Sequence, residues 1–467
     1  MAGGQADPDV IALTAWRGQR VAVFGLARSG LSTLHALRRG GAETLAIDDQ
    51  PAARERAAAL GFVVASSADA DLTGAAMLVV APGIPLNHRL LDGARRSGLP
   101  IQGDVDLFAQ EFPDACVVGI TGTNGKSTTT ALLGGLLNNA GKTAKIGGNI
   151  GVPVLDLGYP KKAYAYILEL SSFQLDLTAH LHCRCAVWTN LSPDHLDRHG
   201  SFMAYQLAKE RIFCNQVNGD WAVIGVDDCH GQDLLARLSK AAPQRRLVPI
   251  SGQRALPHGV FVDNHILYDA IDSEPHAVAD LRHAPALIGA HNAQNAACAY
   301  AAGRALCVES AALADGLARF PGLPHRIEHV GTLSGIRIFN DSKATNVAAA
   351  ATSLGCFDTI YWIAGGRPKP GGLGDLAPFL PRIRHTFLIG EAQDRFAEEL
   401  RPAVSARRCG DLETALDSAL SLARQEAVPG AVILLAPACA SFDQFRDFEA
   451  RGDAFRELVQ ARMAERA

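Results

Sequence analysis

The chain has 467 residues, about three times the length of a typical domain, so several domains are expected. Hydrophobic residues make up 48% and charged residues 20%, with a net charge of −4. This profile excludes a fibrous or disordered chain and, without a long run of one sign, argues against nucleic acid as a partner. Apolar stretches stay below the ~20 residues that cross a bilayer, and the N-terminus is unlike an export signal, so we expect a cytoplasmic protein without membrane insertion.

Three successive series of short apolar strands and Ala/Leu-rich helices follow one another along the chain, as in parallel sheets with crossover helices. A Pro/Gly cluster at residues 320–324 separates the last two series, and residues 248–285 are expected to be peripheral structure. The predicted strands are Arg20–Phe24, Thr44–Ile47, Met77–Val80, Cys116–Ile120, Ala165–Leu170, Ala186–Asn190, Ile336–Asn340, Thr359–Ala364, His385–Ile389 and Ala431–Leu435. The predicted helices are Ser29–Arg39 and those beginning near Lys126, Asn292 and Ala344. The chain is therefore predicted to be an α/β protein.

The strongest chemical signal is the segment VVGITGTNGKST at residues 117–128, where an apolar strand breaks at glycines and leads into a helix. Such a loop directs backbone N–H groups and the positive end of a helix at phosphate oxygens. Lys126 adds a positive charge, and the Ser127 hydroxyl can bind Mg²⁺. We predict ATP or GTP binding here; the alternative is an ordinary strand–turn–helix junction with a solvated lysine. The predicted phosphate contacts are Gly122, Thr123, Asn124, Gly125, Lys126, Ser127 and Thr128.

Two further predicted strands carry polar side chains to the same sheet edge. Glu169 lies at the end of one strand, and His195 follows the next, in the segment PDHLDR. Ligands of open parallel sheets bind beyond the carboxyl ends of the strands, so these side chains and Ser127 predict a Mg²⁺ site for phosphoryl transfer. Taken alone, Glu169 would be a cap or surface group, and His195 a capping or core histidine.

The segment VFGLARSG at residues 23–30 resembles a dinucleotide-binding turn in which Ala27 replaces the middle glycine. Asp48 follows at the end of the next predicted strand. This turn could bind the diphosphate of another nucleotide at a helix N-terminus. The alternative is a tight turn that only allows close helix packing.

Seven segments together resemble the Mur ligases in order and spacing, over about Val21 to Leu458. They are GTNGKST, LELSSFQL, NLSPDHLDRH, GAHNAQNAACA, GLPHRIE, NDSKATN and PACASFDQFRDFEARGDAF. The resemblance implies ATP-driven amide formation in peptidoglycan precursor synthesis. ATP would phosphorylate the carboxylate of UDP-N-acetylmuramoyl-L-alanine, and the amine of D-glutamate would attack the acyl phosphate.

The resemblance also implies three domains, two Mg²⁺ ions and a monomer. The domains would be a Rossmann-like UDP-substrate domain at residues 1–104, a central P-loop ATPase-like parallel sheet at 105–322, and a Rossmann-like domain at 323–467. The last of these would bind the amino acid and close over the nucleotide.

Individual roles also follow from the resemblance. Lys126, His195 and Lys209 are the expected catalytic residues, and Ser127, Glu169, His195 and Lys209 the metal-site residues. Lys209 corresponds to a lysine that the family carbamylates; a carbamate would bind metal ions that an ammonium would repel. Without the resemblance, Lys209 would be interpreted as a solvated helix residue. The implied nucleotide contacts are Asn295, Arg326, Asp341 and Lys343. The implied substrate contacts are Gly25, Ala27, Arg28, Ser29, Asp48, Gly83, Asn149, His195, Thr345, Lys369, Ser441 and Phe448.

Ala27, Asp49, Gln50 and Ala81 differ from the family pattern around the UDP site, which leaves the UDP contacts open. Two alternatives are also compatible with the sequence. Another Mur-type or folylpolyglutamate-type ligase would share the glycine-rich loop at residues 122–128, which we call the phosphate loop. A folylpolyglutamate-type ligase should lack the N-terminal UDP domain. A nucleotide-binding regulator would bind ATP without turnover.

Overall fold

The computed structural model describes residues 10–160, 164–241, 244–369, 371–401 and 403–465. The described chain forms three β-sheets and divides into two compact units. The first unit extends to His283 and also contains Asn292–Arg319; it holds two sheets. The second unit contains Ala284–His291 and the chain from Phe320, and it holds the third sheet.

The first sheet is fully parallel. Its strands are β1 (Arg20–Phe24), β2 (Glu43–Ile47), β3 (Val63–Ala65), β4 (Ala75–Val80) and β5 (Ile101–Gln102), and its helices are α1 (Arg28–Gly40), α2 (Pro51–Ala59), α3 (Arg89–Arg96) and α4 (Asp104–Glu111). The strand order is β3-β2-β1-β4-β5, so the direction of winding reverses between β1 and β4. Such a reversal opens a crevice at the carboxyl ends of the two strands.

The second sheet has nine strands, in the order β14-β13-β12-β11-β10-β9-β6-β8-β7. These are β6 (Val117–Thr121), β7 (Ala144–Gly148), β8 (Ala165–Glu169), β9 (Cys185–Trp188), β10 (Trp221–Gly225), β11 (Arg246–Ser251), β12 (Gly259–Asp263), β13 (Ile266–Ala270) and β14 (His276–Asp280). The helices of this region are α5 (Lys126–Asn139), α6 (Ser172–Asp176), α7 (Leu196–His199), α8 (Phe202–Glu210), α9 (Cys229–Ala241), α10 (Ala290–Ala305) and α11 (Ser310–Arg319). Strand β6 lies between β8 and β9, so the three strands end at one edge.

The third sheet lies in the second unit. Its strands are β15 (Glu328–Leu333), β16 (Ile336–Asn340), β17 (Ile360–Gly365), β18 (Ile383–Ile389), β19 (Ala406–Gly410) and β20 (Val432–Leu435), and its helices are α12 (Val347–Leu354), α13 (Gln393–Leu400), α14 (Leu412–Glu426) and α15 (Phe448–Ala464). The order is β15-β16-β20-β17-β18-β19, parallel except for β15. Strand β20 lies between β16 and β17, which brings the loops after these three strands together.

The α/β prediction is confirmed, and the predicted strands are present with ends shifted by up to two residues. Residues 248–285, expected to be peripheral structure, include the outer edge of the central sheet: β12 joins it beside β11, and β13 and β14 extend it as antiparallel strands. The helix expected near Ala344 begins at Val347, since the Asn346 side chain accepts a hydrogen bond from the N–H of Ala349 and caps it there. In the part of the chain that the structure describes, no helix is long and apolar enough to cross a membrane.

Two buried aspartates in the first turn of α4 differ in their partners. Asp106 accepts hydrogen bonds from the N–H groups of Ala179 and His180, both at 2.7 Å. The Asp104 carboxylate accepts one from the N–H of Val105 at 2.9 Å, and burial raises its pKa to about 6. The protonated form of Asp104 therefore contributes stability below pH ~4, and this contribution is lost as the pH rises through 6.

We expect Asp104→Asn to raise the melting temperature at pH 8, by the equivalent of about 2–3 kcal/mol, because an amide need not ionise in a buried site. Asp106→Asn is the matched control and should lower the melting temperature at pH 8, because it weakens two charge-assisted hydrogen bonds. Thermal unfolding at pH 5 and pH 8 measures both effects. Equal changes in the two variants would contradict this account.

Candidate active site

The loop between β6 and α5 depends on two glycines in the left-handed region. Gly122 has a φ of +144° and Gly125 a φ of +82°. A Cβ at Gly122 would lie 2.0 Å from Thr189 Oγ1, and a Cβ at Gly125 would lie 2.2 Å from Asn295 Oδ1. Only glycine fits these positions, so the loop can be packed closely from both sides. It leads into α5 at Lys126, and the helix N-terminus then faces the loop.

The segment after β9 pairs with this loop. Thr189 donates its N–H to Thr121 O at 3.0 Å, and Thr123 donates its N–H to Asn190 O at 2.9 Å. The Thr123 hydroxyl donates to Ser192 O at 3.1 Å. The phosphate loop is therefore held in one conformation by neighbouring backbone rather than by its own residues alone.

Two lysines converge on the carbonyl oxygen of Gly122. Lys126 Nζ donates to it at 3.0 Å, and Lys209 Nζ, on α8, donates to it at 2.7 Å. Lys209 is only 2% exposed, so its interpretation as a solvated residue is wrong. Burial, and next the charge of Lys126, lower the pKa of Lys209 well below its ordinary value. The neutral amine form of Lys209 is therefore populated at a lower pH than that of a surface lysine.

Glu169 lies at the end of β8 and is 3% exposed. Its Oε1 accepts a hydrogen bond from Asn149 Nδ2 at 2.8 Å, whereas its Oε2 is buried and has no hydrogen-bond partner among the described residues. A buried carboxylate oxygen without a donor favours a cation. Asn149, predicted to contact substrate, is thus held beside the predicted metal ligand.

Mg²⁺ is usually held by one or two carboxylates together with phosphate oxygens and water. Glu169, with its unpartnered oxygen, fits such a shared site, as does the Ser127 hydroxyl in the first turn of α5. The described residues contain no group of three or more His, Cys, Asp or Glu side chains that could hold a metal ion by themselves. The donor set therefore suits a metal that also binds phosphate.

His195 follows β9 and precedes α7, in the left-handed conformation with a φ of +50°. Its ring packs edge-on against Phe173 with the centroids 4.9 Å apart, and its Nε2 lies 3.5 Å from Asp194 Oδ2. Half of its side chain is exposed, so the imidazole remains available to a ligand.

Asn295, a predicted nucleotide contact, lies on α10 against the start of α5. Its Oδ1 accepts a hydrogen bond from the Thr129 hydroxyl at 3.3 Å, and its Nδ2 donates to Asn292 Oδ1 at 3.1 Å. Thr128 is in the same first turn of α5. The structure therefore brings Asn295 to the phosphate loop.

At the edge of the first sheet, the predicted substrate residues follow β1, β2 and β4. Asp48 accepts hydrogen bonds from the N–H groups of Leu26 at 2.7 Å and Gln50 at 2.9 Å, which ties two loops together. Gly25 has a φ of +97°, and a Cβ there would lie 2.7 Å from the Cβ of Ala81. The other predicted residues are Gly83, which is exposed after β4, and Ala27, Arg28 and Ser29 at the N-terminus of α1.

In the second unit, Asp341 follows β16 and accepts a hydrogen bond from the Ser353 hydroxyl. Burial raises its pKa to about 6, an effect that nearby Arg326 partly offsets. Arg326 is flanked by two residues in the left-handed region, His325 with a φ of +61° and Ile327 with a φ of +47°. Such a φ is strained for a β-branched residue, and strain of this kind is concentrated at functional sites.

Lys343 and Phe448 contact each other in the second unit. The Lys343 Nζ lies 3.9 Å from the centroid of the Phe448 ring, as in a cation–π pair. Thr345 donates its N–H to Lys343 O at 2.7 Å. Ser441 is buried after β20, and the Lys369 side chain is exposed after β17. These residues therefore lie in loops at the carboxyl edge of the third sheet or, in the case of Phe448, at the start of α15.

Arg451, on α15, is a site-supporting residue that sequence analysis missed. It is 1% exposed, and its guanidinium donates to Ser342 Oγ at 2.9 Å, Ser342 O at 2.8 Å and Cys439 O at 3.2 Å. Burial lowers its pKa to about 10. The glycine after Arg451 is the sequence feature that indicates close packing here, because a Cβ at Gly452 would lie 2.1 Å from His325 Nδ1. Arg451 links the loops after β16 and β20.

We expect Gly125→Ala to weaken ATP binding by roughly tenfold or more, because the new methyl group displaces Asn295 or the loop. Gly141→Ala is the matched control, since Gly141 also has a positive φ of +70°, but a Cβ there would have no atom within 4 Å. Calorimetric titration with ATP measures the affinity. Equal losses in both variants would show that backbone strain, not the Asn295 contact, determines the effect.

Two family models match the chain, the Mur ligase middle domain over residues 120–303 and the Mur ligase glutamate ligase domain over residues 325–439. A protein of Phenylobacterium zucineum named UDP-N-acetylmuramoylalanine--D-glutamate ligase is 47% identical over 461 residues, covering 97% of this chain and 98% of that protein. A Nitrobacter hamburgensis protein of the same name is 45% identical over 460 residues, covering 97% and 98%.

Solved structures of similar fold include the UDP-N-acetylmuramate-alanine ligase MurC of Thermotoga maritima. It has a TM-score of 0.57 at 17% identity and covers 95% of this chain and 99% of that chain. A crystal structure of MurF from Acinetobacter baumannii has a TM-score of 0.56 at 18% identity, with 96% and 93% covered. The family models cover more than half of the sequence, and the relatives match nearly all of it, so the chain belongs to the Mur ligase family.

Proposed function

We propose that this Mur ligase joins D-glutamate to UDP-N-acetylmuramoyl-L-alanine with conversion of ATP to ADP and phosphate. The observation that carries the proposal is the glycine loop, in which Lys126 and Lys209 both donate to the carbonyl oxygen of Gly122. The chain is also 47% identical to a protein named for this reaction. The γ-phosphoryl group of ATP would pass to the substrate carboxylate. The glutamate amine would then attack the acyl carbon, form the amide and expel phosphate.

The residues of the first unit support the first step. The N-terminus of α5 and the Lys126 ammonium provide positive charge for the phosphates. Ser127, Glu169, His195 and Lys209 would hold Mg²⁺, which when bound neutralises charge that develops during phosphoryl transfer. The half-exposed His195 ring can bind a ligand without first breaking a buried contact.

We propose that Lys209 is carbamylated in the active enzyme. Carbon dioxide reacts with a neutral amine, and the lowered pKa of Lys209 increases the neutral fraction near neutral pH. The neutral amine forms an N–C bond to carbon dioxide and releases one proton, so a side chain that could be a cation near Lys126 becomes a carboxylate. This change removes a repulsion and adds a metal ligand.

Substrate roles are proposed for the remaining residues. Residues 1–104 would bind the UDP moiety through Gly25, Ala27, Arg28, Ser29, Asp48 and Gly83, with Asn149 and His195 of the central domain, residues 105–322, near the muramoyl group. Asn295, Arg326, Asp341 and Lys343 would bind the nucleotide. In residues 323–467, Thr345, Lys369, Ser441 and Phe448 would bind glutamate, with the exposed Lys369 ammonium pairing with a carboxylate.

The function is tested by phosphate release from ATP with UDP-N-acetylmuramoyl-L-alanine and, in parallel, D-glutamate, L-glutamate or lysine. We expect release and a new amide with D-glutamate only. Lys126→Ala is the control and should lower the rate at least ~100-fold, since it removes a charge that stabilises the transferred phosphoryl group. ATP binding without phosphate release would favour a regulator, and activity on a pterin substrate would favour the folylpolyglutamate alternative.

Carbamylation is tested by nuclear magnetic resonance of protein equilibrated with ¹³C-bicarbonate. We expect one carbamate signal that persists as the pH falls from 9 to 7, because the lowered pKa of Lys209 keeps the amine available. Lys209→Ala should lose both the signal and the activity, whereas Lys240→Ala, at an exposed lysine of α9, should keep both. Full activity in Lys209→Ala would remove Lys209 from the mechanism.

A further inference from the structure

We infer that Gln294 is a positioning residue for ATP, because it fixes the phosphate loop through Asn190. The inference depends on the proposed function only in taking ATP as the bound triphosphate. Gln294 lies on α10 and reaches the loop through one intervening side chain.

The Asn190 side chain binds both the backbone N–H and the backbone carbonyl of Asn124 in the phosphate loop. Its Oδ1 accepts the N–H of Asn124 at 2.9 Å, and its Nδ2 donates to Asn124 O at 3.2 Å. Asn124 O also accepts a hydrogen bond from the Thr189 hydroxyl at 2.6 Å. Asn124 immediately precedes Gly125, where the chain turns into α5. The direction in which the loop enters the helix therefore depends on the orientation of the Asn190 amide.

Gln294 holds that amide in place. Its Oε1 accepts a hydrogen bond from Asn190 Nδ2 at 3.3 Å, and its Nε2 donates to Asp227 Oδ2 at 3.0 Å. Asp227, just after β10, is itself fixed by the Ser251 hydroxyl at 2.6 Å and the N–H of Gly252 at 2.8 Å. The chain of contacts thus begins on strand ends of the central sheet and ends on the phosphate loop.

The charge of Asp227 determines which group donates and which accepts in each hydrogen bond from Asp227 to Asn124. An ionised carboxylate can only accept, so Gln294 must present its nitrogen to Asp227 and its oxygen to Asn190. Asn190 must then present its nitrogen to Gln294 and its oxygen to the N–H of Asn124. A glutamine that only filled space in the core would not need this fixed order of donors and acceptors.

The surroundings of Gln294 also favour a positioning role. It is 6% exposed on α10, a helix otherwise rich in alanine. Gly225, at the end of β10, makes room for it, because a Cβ there would lie 3.0 Å from Gln294 Nε2 and 1.9 Å from Thr189 O. Gln294 therefore packs against a position where only glycine leaves room for its side chain.

The first test is Gln294→Met, which keeps the size of the side chain but removes both hydrogen bonds. We expect the Kd and the KM for ATP to rise roughly tenfold, as for loss of hydrogen bonds at a buried site. We expect the affinity for UDP-N-acetylmuramoyl-L-alanine to remain unchanged, because the residues proposed to bind this substrate are not altered. We also expect kcat to remain unchanged, because the proposed catalytic residues are not altered. Unchanged ATP affinity would overturn the inference.

A second variant, Gln294→Glu, places a carboxylate opposite Asp227. The two charges repel, so ATP affinity should fall at pH 8 and recover partly at lower pH, where one carboxyl group is protonated and can donate again. A purely structural role predicts no such dependence relative to wild type. This variant also carries the test if the methionine variant does not fold.

Gln216→Met is the matched control. Gln216 is also 6% exposed, and its Nε2 donates to Cys183 O at 3.0 Å and Trp221 O at 2.8 Å, away from the phosphate loop. We expect its ATP affinity to equal that of wild type; a loss equal to that of Gln294→Met would overturn the inference. Calorimetric ATP binding needs no turnover, so a wild type that binds ATP without forming an amide would contradict only the proposed function.

Discussion

The side chains of Lys126 and Lys209 meet at the carbonyl oxygen of Gly122, and burial together with the charge of Lys126 favours the neutral form of Lys209 there. This arrangement suits the proposed chemistry. The proposed triphosphate would bring negative charge to Lys126, and the lowered pKa of Lys209 favours the neutral amine that the proposed carbamylation requires. The glycines of the loop make the arrangement possible, because they allow Thr189 and Asn295 to approach the backbone that carries this carbonyl. The proposed phosphate binding would thus depend on the packing of the loop.

In all three sheets predicted functional residues follow the carboxyl ends of strands, whereas Lys209, Asn295 and Phe448 lie on helices. Parallel strands end at one edge, so loops far apart in sequence become neighbours there. In the first sheet the residues follow β1, β2 and β4; in the central sheet they follow β6, β8 and β9; in the third they follow β16, β17 and β20. The sequence order of the strands differs from their spatial order, and this difference brings the ends of β6, β8 and β9 together.

Strands and the phosphate loop could be predicted because they depend on local pattern. The apolar run before Gly122 and the cluster of glycines are recognisable without any knowledge of packing. The burial of Lys209 could not be predicted from α8 alone, since it results from contact with Gly122, 87 residues earlier. Gln294 and Arg451 were missed for the same reason, because their partners are backbone and amide groups contributed by distant segments. The sequence does not show which sheet β12 to β14 join, because strands this short gain stability only by pairing with a sheet that already exists.

The buried Arg451 guanidinium has a mechanical consequence for the second unit. It bonds at once to the loop that carries Asp341 and Lys343 and to the loop that leads to Ser441. Neither loop can shift without stretching its hydrogen bonds to Arg451, so a displacement of one loop is transmitted to the other through this side chain. Substitutions in the two loops should consequently be non-additive. The loop after β17 joins the same linkage, because Arg367 and Ala440 exchange backbone hydrogen bonds at 2.9 and 3.1 Å.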